Sequence, residues 1–180
     1  LIEVIEWCNK HDVPTVFWNK EDPSNFLDFI NTVKLFDYIF TTDANKVDEY
    51  KKYVSHNNIY TLMFSANPKI HNPIKIVDER INKCCFAGTY YQRLFPRRRE
   101  RLELLMDLAI KDLGLDIYDR NLNLNMVNYT FPEKYTKYIK GTLNKDEIQL
   151  ANKGYRIMLN VNIVDNSPTM FARRIFEGLA

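Results

Sequence analysis

Three short apolar runs separated by helical patterns constrain this chain more than any other feature. Val13-Pro14-Thr15-Val16-Phe17-Trp18, Asp37-Tyr38-Ile39-Phe40-Thr41-Thr42 and the run from Ile59 to Phe64 are each of strand length. They are rich in β-branched and aromatic residues, as strands are. Phe26, Leu27, Phe29, Ile30 and Val33 supply the apolar face of a helix between the first two. Residues 44–53 read as a second, mostly polar helix, and residues 1–10 as the tail of an earlier one with Ile2, Ile5 and Cys8 on one face. An α-β-α-β-α-β order implies a parallel sheet, because parallel neighbours need a crossover rather than a hairpin. Ligands of such sheets gather beyond the strand carboxyl ends. Those ends carry Lys20-Glu21-Asp22, Thr42-Asp43 and Ser65-Ala66-Asn67. Glu21, Asp22 and Asp43 are therefore candidate site carboxylates, with solvated loop charges as the alternative.

Residues 67–82 contain Pro68 and Pro73, lack periodicity and read as a connection between two units. The run Lys83 to Ala87 is the next strand, closed by Gly88, where a ligand or a helix can approach the backbone. Pro96 opens a helix running to Lys111. Its apolar stripe of Leu102, Leu105 and Ala109 extrapolates back one turn to Arg98. Arg98 is thereby predicted on the sheet-facing side at the strand-end rim, where an anion would compensate it; pairing with Glu100 or Glu103 is the alternative. Leu115 to Tyr118 is a further short strand, residues 121–129 are irregular, and Tyr135, Tyr138 and Ile139 are packing residues or a stacking surface. A helix is predicted over residues 144–152, then a strand over Arg156 to Val161. Ser167 is a candidate N-cap and Pro168 a first helical residue, so the last helix is predicted from about Thr169. A strand leading into an open helix N-terminus makes an anion site. Ser167 and Thr169 would lie at the anion, Arg173 is a further phosphate candidate, and Glu177 is a carboxylate suited to ribose hydroxyls. Arg173 and Glu177 are also four apart, the spacing of an ordinary helical ion pair.

Lys+Arg 25 against Asp+Glu 23 gives a net charge of +2, too balanced to point to nucleic acid or an anionic membrane. Three cysteines are an odd count. Cys84 and Cys85 are neighbours in a strand and so point to opposite faces, as reduced core residues of a cytoplasmic protein would. No apolar run reaches membrane-spanning length. His11, His56 and His71 are scattered, with no metal-ligand spacing, no Gly-rich phosphate loop and no Gly-x-Ser-x-Gly elbow. The chain begins and stops inside helical patterns, so a segment of a longer protein is expected.

The segment from Lys153 to Asn162 and the run Asp165-Asn166-Ser167-Pro168-Thr169-Met170-Phe171-Ala172-Arg173-Arg174-Ile175-Phe176-Glu177-Gly178-Leu179-Ala180 resemble the CgeB-type, spore-maturation-like glycosyltransferases. The pieces from Phe17 to Pro23, Phe40 to Asp43, Ala66 to Pro68, Phe86 to Tyr90 and Asp116 to Arg120 follow the same family pattern in order. The resemblance implies the GT-B fold, with two Rossmann-like parallel-sheet domains, here truncated at both ends. Residues 1–66 would be the end of an acceptor-side domain, 67–82 a linker, and 83–180 most of a donor domain. It implies transfer of a sugar from a nucleoside diphosphate sugar, a UDP-sugar being favoured, to a glycan or protein acceptor, with no metal and no cofactor beyond the donor. Gly88, Arg98, Ser167, Thr169 and Arg173 would face phosphate, Glu177 the ribose, and Glu21, Asp22 and Asp43 the acceptor. Related retaining enzymes carry a Glu-x7-Glu pattern, in which Thr169 stands here at the first position. A non-catalytic nucleotide- or sugar-binding module and a nucleotide-sugar epimerase on the same fold are the alternatives.

Overall fold

Every strand in the computed structural model pairs in parallel, and the strands form two sheets. All residues are described except Asn125 and Ala180. The chain forms two compact units: Leu1–Ser65 with Val164–Phe171, and Ala66–Ile163 with Ala172–Ala180. The class is α/β, as the alternation of apolar runs predicts.

Unit 1 contains α1 (Ile2–Lys10), β1 (Val16–Asn19), α2 (Ile30–Val33), β2 (Tyr38–Thr41), α3 (Val47–Tyr50) and β3 (Ile59–Thr61). Its sheet has the order β1-β2-β3, with Phe17 beside Ile39 and Ile39 beside Ile59. Alternation along the strands puts Ile39 and Ile59 in a core with Phe26, Ile30, Val33 and Tyr50. The helices are shorter than predicted. Phe26–Phe29 and Ala44–Lys46 are 3-10 turns leading into four-residue α2 and α3. A single turn has too few intrahelical bonds to hold itself, so packing against the sheet supports these pieces. Below β1 and β2, the Asp37 carboxylate accepts from both Thr15 N and Thr15 Oγ1 at 2.8 Å, tying the two strand starts together.

Unit 2 contains β4 (Ile81–Gly88), α4 (Pro96–Asp112), β5 (Leu115–Asp119), α5 (Glu133–Thr136), β6 (Ile139–Gly141), α6 (Ile148–Lys153), β7 (Tyr155–Met158) and α7 (Arg173–Leu179). The strand order is β6-β5-β4-β7, so β4 and β5 are central. Cys84, Phe86, Leu115 and Ile117 pack with Leu102, Met106, Ala109 and Tyr135. Cys85 and Ala87 pack in a separate cluster with Ala151 and Tyr155. The adjacent cysteines thus serve two cores, and burial pushes the Cys85 thiol up to about 12. Each fully buried large apolar side chain here contributes roughly 1.5–3 kcal/mol. Strand β6 was not legible in the sequence: it is three residues long with Lys140 at its centre.

The structure alters two predicted boundaries. The last helix starts at Arg173, not Thr169. Residues Val164–Phe171 belong to unit 1 rather than to the unit of their neighbours. Among the described residues, no helix is long and apolar enough to cross a membrane.

The two Thr15 hydrogen bonds hold the Asp37 carboxyl below its ordinary range. A carboxyl lowered by folding stabilises above its unfolded pKa of about 4 and loses that effect as pH falls through the lower folded value. Asp37→Asn is expected to lower the urea midpoint at pH 7, with the gap to the parent narrowing below about pH 4; a gap independent of pH would refute this assignment.

Candidate functional site

At the carboxyl end of β1, the sequence predicts exposed acids, but the chain turns Asp22 inward. Asp22 is fully buried. Its Oδ1 accepts from Asn19 Nδ2 at 2.8 Å, and its Oδ2 from Thr41 Oγ1 at 2.6 Å and Tyr50 Oη at 2.8 Å. Asn19 Nδ2 also donates to Tyr50 Oη at 2.9 Å. Burial raises the Asp22 carboxyl, partly offset by the Thr41 and Tyr50 hydrogen bonds, and burial likewise drives the Tyr50 phenol up. Both carboxylate oxygens are occupied, so Asp22 joins β1, β2 and α3 and is not presented to an acceptor. Asn19, Thr41 and Tyr50 were not picked out from the sequence, because nothing in a linear pattern brings positions 19, 41 and 50 together.

Asp43 is also buried, at 3% exposure. Its Oδ1 accepts from Asn45 N at 3.0 Å, capping the Ala44–Lys46 turn, and from Ser167 Oγ at 2.6 Å. Thr169 Oγ1 donates to Thr42 O at 2.9 Å and accepts from Ala44 N at 2.8 Å, while Asn45 Nδ2 donates to Asn166 O at 3.0 Å. Ser167 does act as a cap, accepting from Met170 N at 2.8 Å, but no helix follows that turn. The side chains of Ser167 and Thr169 are thus spent on fastening the 164–171 strap to β2 within unit 1. Gly88 and Arg98 belong to unit 2. Of the three acids expected at the acceptor side, only Glu21 is exposed.

Unit 2 assembles a different group at its strand carboxyl ends. Gly88 ends β4, opposite Asp119 of β5, and Arg120 N donates to Gly88 O at 3.2 Å. Arg98 lies one turn before Leu102 on α4 and faces the sheet side, as the stripe predicts. Its Nη1 donates to Thr89 O at 3.2 Å, and its guanidinium lies 4.9 Å from the Tyr91 ring centroid. Arg174 reaches the same corner from α7. A Cβ on Gly88 would lie 3.4 Å from Arg174 Nη1 and 3.2 Å from Phe86 Cζ. A side chain there would press first on the Phe86 ring. Burial lowers both arginines, offset in part by Tyr91 beside Arg98 and by the Glu177 carboxylate near Arg174.

Arg173, the arginine singled out from the sequence, points elsewhere. It is exposed, and its Nε lies 2.6 Å from Glu177 Oε1, forming the helical ion pair given as the alternative. His71 Nε2 is 3.9 Å from the same oxygen. Both contacts fall on Oε1, which leaves Oε2 to accept from a hydroxyl. Glu177 lines a cavity of about 450 Å³ with Arg80, Lys153, Ile76 and Leu179. Arg174 could have been found from sequence: the Arg173–Glu177 spacing commits Arg173, and the next residue sits about 100° around the helix. Among the described residues, no group of three or more His, Cys, Asp or Glu could hold a metal ion.

The roles of the two buried acids can be separated by substitution. Asp22→Ala strands donors from Asn19, Thr41 and Tyr50 and is expected to cost about 3 kcal/mol in urea unfolding; a loss below about 0.5 kcal/mol would show the network to be dispensable. Asp43→Ala is expected to leave the core intact but to speed proteolysis within residues 164–171 several-fold, since the strap loses its shortest hydrogen bond.

No protein-family model matches the chain, no curated protein matches it, and no solved structure matches its fold.

Proposed function

We propose that this chain is part of a glycosyltransferase that moves a sugar from a nucleoside diphosphate sugar to a glycan or protein acceptor without a bound metal. The observation that carries the reading is the Gly88 corner: a glycine-floored strand end, with Arg98 held to the Thr89 carbonyl, at the edge where open parallel sheets bind ligands. A leaving diphosphate needs positive groups fixed in place before charge develops on it, and a guanidinium pinned by a carbonyl and a tyrosine ring meets that need. Glu177, one turn beyond Arg174 on α7, has an oxygen available for ribose hydroxyls. The resemblance to the CgeB-type family supports the same assignment of Gly88, Arg98 and Glu177. Glu21 is the exposed carboxylate at the end of β1 that remains for the acceptor side. The proposed place of action is the cytoplasm, where nucleotide sugars are made.

A non-catalytic nucleotide-binding module is the second reading, favoured by the engagement of Asp22, Asp43 and Thr169 in structural hydrogen bonds. Calorimetric titration with UDP and GDP, followed by a turnover assay with UDP-sugars and a panel of glycan acceptors, separates the two. Binding of UDP, weakened about tenfold or more by Glu177→Ala, together with sugar transfer, is expected. Binding without turnover would select the module, and no binding of either nucleotide would overturn both readings.

A further inference from the structure

We propose that the loops following β4 and β5 form a docking face for an anionic lipid surface, with aliphatic side chains entering the membrane interface and arginines meeting the headgroup phosphates. This goes beyond the sugar-transfer reading and does not depend on it.

The first observation is charge at a fixed place. Residues 89–99 and 120–132 contain five arginines and no Asp, Glu or Lys, in a chain whose net charge is only +2. The next residue, the exposed Glu100, takes back one of those charges. Asp119 does not face outward: it is buried and accepts from Asn121 N at 2.9 Å. Glu103, further along α4, accepts from Tyr90 Oη at 2.6 Å. Arg93, Arg97 and Arg120 are exposed. Surface charges act over about a Debye length, so this local excess, and not the balanced total, is what an anionic surface would meet.

The second observation is apolar exposure in the same two loops. Leu94, Leu122, Leu124, Met126 and Val127 are each between 42% and 68% exposed. One such residue needs no explanation, but five along adjoining loops mark an interaction surface.

The loops are held together as one rim. Parallel β4 and β5 end side by side at Gly88 and Asp119, so both loops leave the same edge of unit 2. Gln92 N donates to Asn128 O at 2.9 Å across them. The Tyr91 ring meets the Tyr129 ring edge-on at 5.8 Å and the Phe95 ring at 5.3 Å. Arg99 Nη1 donates to Gln92 O. Leu122–Leu124 and Val127–Tyr129 are 3-10 turns that carry their aliphatic side chains outward.

This chemistry favours lipid over nucleic acid. A single-stranded nucleic acid is met by open aromatic rings together with cations. Here Tyr91, Phe95 and Tyr129 pack on one another, and the exposed side chains are aliphatic. Aliphatic tips beside arginines suit a membrane interface, where the apolar groups reach the acyl boundary and guanidinium heads stay at the phosphates.

The test is flotation of the 180-residue chain with phosphatidylcholine vesicles, with and without phosphatidylglycerol, and a parallel titration with polyuridylate. The parent is expected to float with the anionic vesicles, to stay behind with neutral ones, and to be released at about 0.5 M NaCl. The double variants Arg93→Gln/Arg97→Gln and Leu124→Ser/Val127→Ser should each weaken partitioning about tenfold or more, with unchanged far-UV circular dichroism. Lys111→Gln, at the far end of α4, and Leu27→Ser, an exposed leucine of unit 1, should change it by less than about twofold. If a double variant does not fold, Arg97→Gln and Val127→Ser carry the comparison, each expected to weaken partitioning about threefold. No flotation with anionic vesicles, or equal flotation with neutral ones, overturns the proposal. Partitioning that depends on the arginines but not on Leu124 and Val127 also overturns it, and polyuridylate binding with that same dependence would assign the rim to nucleic acid. No nucleotide is present in the vesicle assay, so failure of this face and failure of the sugar-transfer reading are separate results.

Discussion

Strands paired in parallel cannot be joined by hairpins, so each connection in this chain returns along a sheet face before the next strand begins. All strands of a sheet therefore end at one edge. In unit 2 this puts Gly88 beside Asp119 and delivers Arg120 directly after it. The same rule sends α4 back from the end of β4, which sets Arg98 near Thr89, nine residues earlier in the chain. The corner is thus a consequence of strand direction. Its residues come from several separate stretches of chain and meet because the sheet leaves them no other place to end.

Burial then decides which polar groups remain available. In unit 1 the strand ends are drawn inward and tied off: Asp22 takes donors from three side chains, and Asp43 takes Asn45 and Ser167. Buried carboxylates persist only when they are hydrogen-bonded, and Asp22 has donors on both of its oxygens. In unit 2 guanidinium groups stand at the strand ends instead. Arg98 donates to the Thr89 carbonyl beside the end of β4, and the Arg174 guanidinium lies against Gly88. Two neighbouring arginines show how fine this partition is. Arg173 turns outward to Glu177, while Arg174 turns inward to Gly88.

Much of the fold was legible from periodicity. The class, the parallel pairing, strands near residues 13–18, 37–42, 83–87 and 115–118, and the long helix from Pro96 all follow from apolar spacing and helix-start residues, although β4 begins at Ile81, inside the predicted 67–82 connection. The inward placement of Arg98 also followed, because a helical stripe can be extended by one turn. The ends of short elements did not. Ser167 and Pro168 make a sound helix start by local criteria, yet Thr169 and Ser167 find partners in Thr42, Asp43 and Ala44, more than a hundred residues away. Those contacts hold residues 164–171 against unit 1, and the helix begins only at Arg173.

What the sequence by itself determined is the alternation of strand and helix, and with it the edge at which ligand-binding groups collect, because both rest on local periodicity and on the impossibility of a parallel hairpin. What only the tertiary structure decided is which charges at that edge are free. Asp22, Asp43, Ser167 and Thr169 were taken up by partners distant in sequence. Whether a charge is paired depends on its neighbours in space and on its exposure to water, and neither is encoded in the spacing of residues along the chain.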